Sequence, residues 1–124
     1  MSSKSNYILL VEDSKDIRDL IVQFYNDEGY RVEVAVDGKE ALSILTSANQ
    51  LPAVILLDLM MPGMNGFEFK EEQERNSRIA DIPVLLMTAD PQADARAKKM
   101  RAKGYLRKPV AIDTLLAVAQ KFCD

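Results

Sequence analysis

Reactive side chains stand at the ends of strand-like runs at four places in this chain. Glu12 and Asp13 follow Tyr7-Ile8-Leu9-Leu10-Val11, and Asp58 follows Ala53-Val54-Ile55-Leu56-Leu57. Thr88 follows Val84-Leu85-Leu86-Met87, and Lys108 follows the short Tyr105-Leu106-Arg107. A short apolar run bounded by turn residues suits a strand buried on both faces, so each group sits where a buried sheet meets solvent. In one parallel sheet all these ends share an edge, and ligands collect at that edge in open parallel sheets. Carboxylates crowded there either shift their pKa values upward or hold a cation. The chain has no histidine and one cysteine, Cys123, so the ligands on offer are oxygens, a set that favours Mg²⁺ over zinc or copper.

A cation-filled carboxylate cluster beside a lysine and a hydroxyl suits phosphoryl transfer. The transferred group spreads negative charge over its equatorial oxygens and calls for a cation, an ammonium and a hydrogen-bond donor. Mg²⁺, Lys108 and Thr88 supply these, and Asp58 supplies a carboxylate nucleophile able to form an acyl phosphate. Taken singly, the same residues have ordinary uses. Glu12 and Asp13 can cap a helix, Asp58 can be a solvated turn residue, Thr88 can end a strand, and Lys-Pro pairs such as Lys108-Pro109 are common in turns. Their joint arrival at one edge gives the chemistry its weight.

The elements that would carry them alternate along the chain. After the first strand, Ile17, Leu20, Ile21 and Phe24 form one helical stripe, which Asp13 or Ser14 can open and Gly29 can end. Residues 31–36 alternate with period two, as a half-exposed edge strand should. Asp37-Gly38 leads into a helix carrying Ala41, Leu42, Ile44 and Leu45. A further helix runs from Phe67 to about Arg75, with Glu and Lys dense on its outer face. Pro83 suits a strand start. Ala89-Asp90-Pro91 opens a helix to about Ala102, and Ile112, Leu115, Leu116, Ala119 and Phe122 form the stripe of the last one. Five strands alternating with five helices imply an α/β fold: a doubly wound parallel sheet covered on both faces, as a single domain over residues 1–124. The first and third strands then flank the crevice where the winding reverses.

Composition narrows the function. A net charge of -3 argues against a general nucleic-acid binder. The longest apolar runs are far too short to span a bilayer, and residues 1–6 lack the apolar core of a secretory signal. A lone cysteine fits a reducing cytoplasm. The absence of histidine removes His-based triads and most zinc sites.

Leu9-Leu10-Val11-Glu12-Asp13, the stretch Leu56-Leu57-Asp58 through Met61-Pro62-Gly63-Met64-Asn65-Gly66, Met87-Thr88-Ala89, and Gly104-Tyr105-Leu106-Arg107-Lys108-Pro109 together resemble the motifs of response-regulator receiver domains. The likeness covers essentially the whole chain and is nearest to the single-domain chemotaxis type, for which strand order 2-1-3-4-5 is a known example. The resemblance implies that Asp58 accepts a phosphoryl group from a phosphohistidine on a histidine kinase or histidine phosphotransfer protein. It implies that Asp13, Asp58 and the backbone carbonyl of Met60 bind Mg²⁺, with Glu12 acting through water. Lys108 would pair with the phosphoryl oxygens, its peptide to Pro109 being cis. Thr88 would move toward the phosphate and Tyr105 turn inward behind it, switching a surface read by a downstream protein target. No enzymatic turnover on other substrates, no direct nucleic-acid contact, no membrane insertion and a monomer or weak dimer are the further expectations.

Two positions depart from the family's usual pattern. Arg101 stands where glycine commonly follows the fourth helix, which implies a longer or differently capped helix end. Ala111 stands where a capping residue often opens the last helix, with Asp113 compensating in part. Met60, Met61 and Met64 read as flexible apolar cover for the site. Tyr105 on its own could be ordinary edge-strand packing.

Arg96, Lys98, Lys99, Arg101, Lys103, Arg107 and Lys108 form a basic stretch in an otherwise acidic chain. It is either a solvated helix face or, with Lys98, Lys99, Arg101 and Tyr105 at its centre, a docking surface for an acidic partner. Competing functions are an aspartyl-phosphate phosphatase of the haloacid-dehalogenase type, a flavin or nucleotide binder, and a receiver-like scaffold that takes no phosphate. Asp58-Leu59-Met60 lacks the DxD pattern of the first. Glu12-Asp13-Ser14 would repel the bare phosphate of the second.

Overall fold

The computed structural model of the chain describes residues 6–61 and 63–124. The polar start at residues 1–5, and Pro62 of the motif after Asp58, lie outside the described residues. The order is β1 (Tyr7–Val11), α1 (Lys15–Asp27), β2 (Arg31–Ala35), α2 (Gly38–Ser47), β3 (Val54–Asp58), α3 (Gly66–Arg75), β4 (Val84–Thr88), α4 (Ala93–Lys99), β5 (Gly104–Arg107) and α5 (Ile112–Cys123). The five strands form one parallel sheet in the order β2-β1-β3-β4-β5. This is the doubly wound architecture that the sequence implies.

The strands read as continuous apolar runs because both faces are covered. Ile8 and Leu10 of β1 point into a core closed by Ile21 and Tyr25 of α1 and Leu115 and Ala119 of α5. Leu9 and Val11 point the other way, into a core closed by Leu45 of α2, Phe69 of α3 and Ala97 of α4. Each fully buried Leu or Ile here contributes roughly 1.5–3 kcal/mol. The Tyr25 hydroxyl donates to Leu115 O at 2.8 Å and ties α1 to α5. Register then levels the strand ends: Val11 pairs with Leu57, Asp58 with Met87, and Thr88 with Arg107.

Capping follows the sequence closely in the first half. Ser14, Asp37 and Asn65 cap α1, α2 and α3, the last in a reciprocal capping box with Glu68. Ala111 opens α5 with no side-chain cap. The fourth helix differs from its expected span, since α4 covers only Ala93–Lys99. Its start is delayed because Asp90 holds a turn, with Oδ1 accepting Gln92 N–H at 2.8 Å and Oδ2 accepting Arg96 Nε at 2.5 Å.

The helix is also closed early. Ala102 N–H donates to Ala97 O at 2.9 Å and Arg101 N–H to Lys98 O at 3.1 Å, the same Schellman pair that ends α1 at Gly29 and Tyr30. The pivot is left-handed in both, at φ 86° for Gly29 and φ 60° for Arg101. Glycine adopts that conformation freely, whereas a side chain there costs about 1–2 kcal/mol. The Arg101 end is thus differently capped and shorter, with the motif kept and its preferred residue absent. One lysine expected on the outer face of the third helix is not there: Lys70 is 6% exposed.

Candidate functional site

The level strand ends bring Glu12, Asp58, Thr88 and Lys108 to one edge. Glu12 and Asp58 are 1% and 5% exposed, whereas Asp13 faces solvent. One carboxylate oxygen from each of Glu12, Asp13 and Asp58 lies within 4.8 Å of the others. Lys108 reaches across from the end of β5, its N–H donating to Thr88 O at 3.0 Å. Its Nζ lies 3.1 Å from Glu12 Oε1 and 3.3 Å from Asp58 Oδ1. The Lys108–Pro109 peptide is cis.

Local hydrogen bonds orient the acids. The Ser14 N–H donates to Glu12 Oε2 at 3.1 Å, leaving Oε1 for Lys108. The Met60 N–H donates to Asp58 Oδ1 at 3.2 Å. Arg18 donates to the backbone carbonyls of Glu12 and Asp13, pinning the loop that presents them. Behind the site, Gly66 packs on the strand end: a Cβ there would stand 3.0 Å from Leu59 Cα and 3.1 Å from Asp58 O.

Burial, with the Glu12 carboxylate beside it, pushes the Asp58 carboxyl up to about 7, against the pull of Lys108 and the Met60 N–H. Burial alone would lower Lys108, but the Asp58 and Glu12 carboxylates outweigh it and hold the ammonium above its ordinary value. Three carboxylates facing one ammonium leave negative charge uncompensated. The donor set is all oxygen, with Asp13 on the water side, and these residues fit a hard divalent cation.

Thr88 is buried at the same mouth, where its Oγ1 accepts the Asp90 N–H at 3.0 Å. Tyr105 is half-buried and sits level with Leu86, short of the strand ends, its ring 5.5 Å from the Arg107 guanidinium. The basic stretch does not share one face. Lys98 pairs with Asp94, Arg96 with Asp90, and Arg107 donates to Asp90 O. Lys99 and Arg101 line a groove against α3, while Tyr105 lines another toward α5. Of the methionines read as cover, Met61 joins the core and Met60 is exposed.

The helical stripes also hold a feature that periodicity alone does not separate from core. Leu20 of α1 and Ile112 of α5 are 68% and 58% exposed. They rim an apolar cavity of about 380 Å³ that extends to Lys108 and Pro109. The available signals were stripe width for Leu20, which stands at the margin of its stripe, and position for Ile112, which is the first residue of α5.

The response regulator receiver domain family matches residues 8–120. The chain belongs to that family, the receiver domain of two-component response regulators, a signalling domain. Chemotaxis protein CheY4 of Vibrio cholerae superposes with a TM-score of 0.83 at 36% identity, covering 94% of this chain and 98% of that one. A relative in Leptolyngbya boryana, an uncharacterized 14.6 kDa protein in the sodA1 3' region, is 36% identical over 94% of this chain and 88% of its own length. The response regulator MprA of Mycobacterium sp. (strain KMS) is 37% identical over 89% of this chain, which spans 47% of that protein. Among the described residues no helix is long and apolar enough to cross a membrane.

Proposed function

We propose that this chain is the phosphoacceptor of a two-component pathway, taking a phosphoryl group on Asp58 from the phosphohistidine of a histidine kinase or histidine phosphotransfer protein. The observation that carries this reading is the Lys108 ammonium set between two buried carboxylates, Glu12 and Asp58. At rest it offsets their charge, and it meets the phosphoryl oxygens of a group arriving at Asp58. In the transfer an Asp58 oxygen forms the new O–P bond while the donor's P–N bond breaks, its electron pair returning to the imidazole ring. Thr88 donates its hydroxyl hydrogen to a phosphoryl oxygen as it shifts toward Asp58.

Asp13 and Asp58, with the backbone carbonyl of Met60, would hold Mg²⁺, and Glu12 would act through water. When bound, Mg²⁺ supplies the positive charge that these carboxylates and a phosphoryl group together require. The apolar rim at Leu20 and Ile112 adjoins Lys108, so an exposed apolar surface lies beside the acceptor group. Tyr105 turns inward behind Thr88, and the α4–β5–α5 surface then presents itself to a downstream protein target. The chain acts as a cytoplasmic monomer or weak dimer that assists only its own phosphorylation and dephosphorylation, with no direct nucleic-acid contact.

Incubation with acetyl phosphate and Mg²⁺ followed by intact mass tests this reading. One added phosphoryl mass is expected, and Asp58→Asn or omission of Mg²⁺ should each abolish it. A persisting adduct on Asp58→Asn would move the acceptor elsewhere.

A further inference from the structure

The groove between α3 and α4 is lined on one side by Phe67, Lys70 and Glu74 and on the other by Arg96, Lys99 and Arg101, and has a volume of about 480 Å³. Its cations outnumber its carboxylates by four to two, Glu71 being the second acid. Lys70 is buried, yet its ammonium, with three hydrogens to donate, has one protein acceptor among the described residues, Glu74 at 3.4 Å. Lys99 and Arg101 have no carboxylate partner among the described residues. Arg101 is kept in a left-handed conformation that glycine would take without strain, and its side chain lines this groove. A strained residue whose side chain faces a pocket points to use of that side chain.

Phe67 and Met100 give the groove its apolar part. The Arg96 guanidinium carbon lies 5.8 Å from the Phe67 ring centroid, and Met100 is buried beside them. We propose that this α3–α4 groove docks an acidic segment of a protein partner, its carboxylates on Lys70, Lys99 and Arg101 and an apolar side chain on Phe67 and Met100. The chain as a whole is acidic, with a net charge of -3, so a basic groove selects acidic partners by orientation rather than by bulk charge. Arg96 links the groove to the acceptor mouth, because the same guanidinium holds Asp90, whose N–H donates to Thr88.

The test is fluorescence anisotropy of a fluorescein-labelled Asp-Glu-Phe-Asp-Glu peptide against the full, unphosphorylated chain at low salt, so it does not depend on phosphoryl transfer at Asp58. Binding that weakens about tenfold in the Lys99→Glu/Arg101→Glu double variant is expected, with less than about a twofold change in Lys39→Glu/Lys121→Glu. Arg101→Gly should weaken binding several-fold while raising Tm, a combination that a purely structural cap would not give. Equal affinity in the Lys99/Arg101 variant, equal loss in the control variant, or displacement by inorganic phosphate as effective as by unlabelled peptide would each overturn the proposal.

Discussion

Lys108 Nζ lies 3.1 Å from Glu12 Oε1 across 96 residues of sequence. Glu12 is buried and Lys108 only partly so, and removing the lysine strands a carboxylate pair in the interior. Lys108→Met is expected to cost about 2–3 kcal/mol at pH 8, below the usual loss for a fully buried pair because the mouth is open to water. Without the ammonium, the folded state disfavours ionised Asp58 still more, so the loss should shrink as pH falls toward 5, and Mg²⁺ should recover part of it. Urea melts at both pH values, with and without Mg²⁺, check this. A deficit that ignores pH and Mg²⁺ would show that Lys108 acts only as packing.

Asp58 itself gives the opposite sign. Its folded carboxyl, raised to about 7 by burial and by Glu12, keeps its proton where the unfolded chain has lost it. Between roughly pH 4 and pH 7 the native state binds more protons, so the Asp58 contribution to stability falls as pH rises through that window and then levels off. Asp58→Asn should therefore stabilise the metal-free protein by roughly 1–2 kcal/mol at pH 8, after allowing for solvent at the mouth, and by little at pH 4. The same proton competes with a cation. Apparent Mg²⁺ affinity of the unaltered chain should drop about tenfold per pH unit below 7, as calorimetric titration at pH 6 and 8 would show.

Much of this was readable in the chain. The runs ending in Glu12, Asp58 and Thr88 are buried throughout because both sheet faces are covered, which is why a simple apolar count located the edge where these side chains meet. Reading failed where one side chain serves two elements. Asp90 spends both carboxylate oxygens and its carbonyl on Gln92, Arg96 and Arg107, and so delays α4. Lys70 has the period of a surface lysine, yet it is buried in the wall of the groove between α3 and α4. Leu20 and Ile112 have the period of core residues, yet α1 and α5 leave them at an open cavity. Periodicity assigns a face to a residue, and only helix packing decides what that face meets.

Arg101 and Gly29 occupy the same place in two Schellman motifs, and substitution should move them in opposite directions. Arg101→Gly relieves a left-handed side chain and is expected to stabilise by about 0.5–1 kcal/mol, part of the relief being offset by the greater freedom of glycine in the unfolded chain. Gly29→Ala introduces the strain that Arg101 already carries and should destabilise by about 1 kcal/mol, although no atom lies within 4 Å of the added Cβ. Chemical denaturation of both variants checks the pair. No gain in Arg101→Gly alongside the expected loss in Gly29→Ala would mean that the φ 60° backbone is held by contacts of the Arg101 side chain itself.

Gly66 makes the most direct link between packing and the Asp58 carboxylate. A Cβ at this position meets only backbone, at 3.0 Å from Leu59 Cα, 3.1 Å from Asp58 O and 3.2 Å from Leu59 O. Flexible side chains can turn aside, but the end of β3 cannot, since Leu59 N–H is bonded to Met87 O and Gly66 N–H to Leu59 O. Gly66→Ala must push α3 from the strand end or displace Asp58, at a cost of about 1–3 kcal/mol for overpacking. Displacement of the carboxylate would loosen its contact with Lys108, so acetyl-phosphate labelling should slow by more than the fraction unfolded accounts for. Labelling followed by intact mass, at a temperature where the variant remains fully folded, separates the effects. Normal labelling with lowered stability would assign the close approach to helix packing alone.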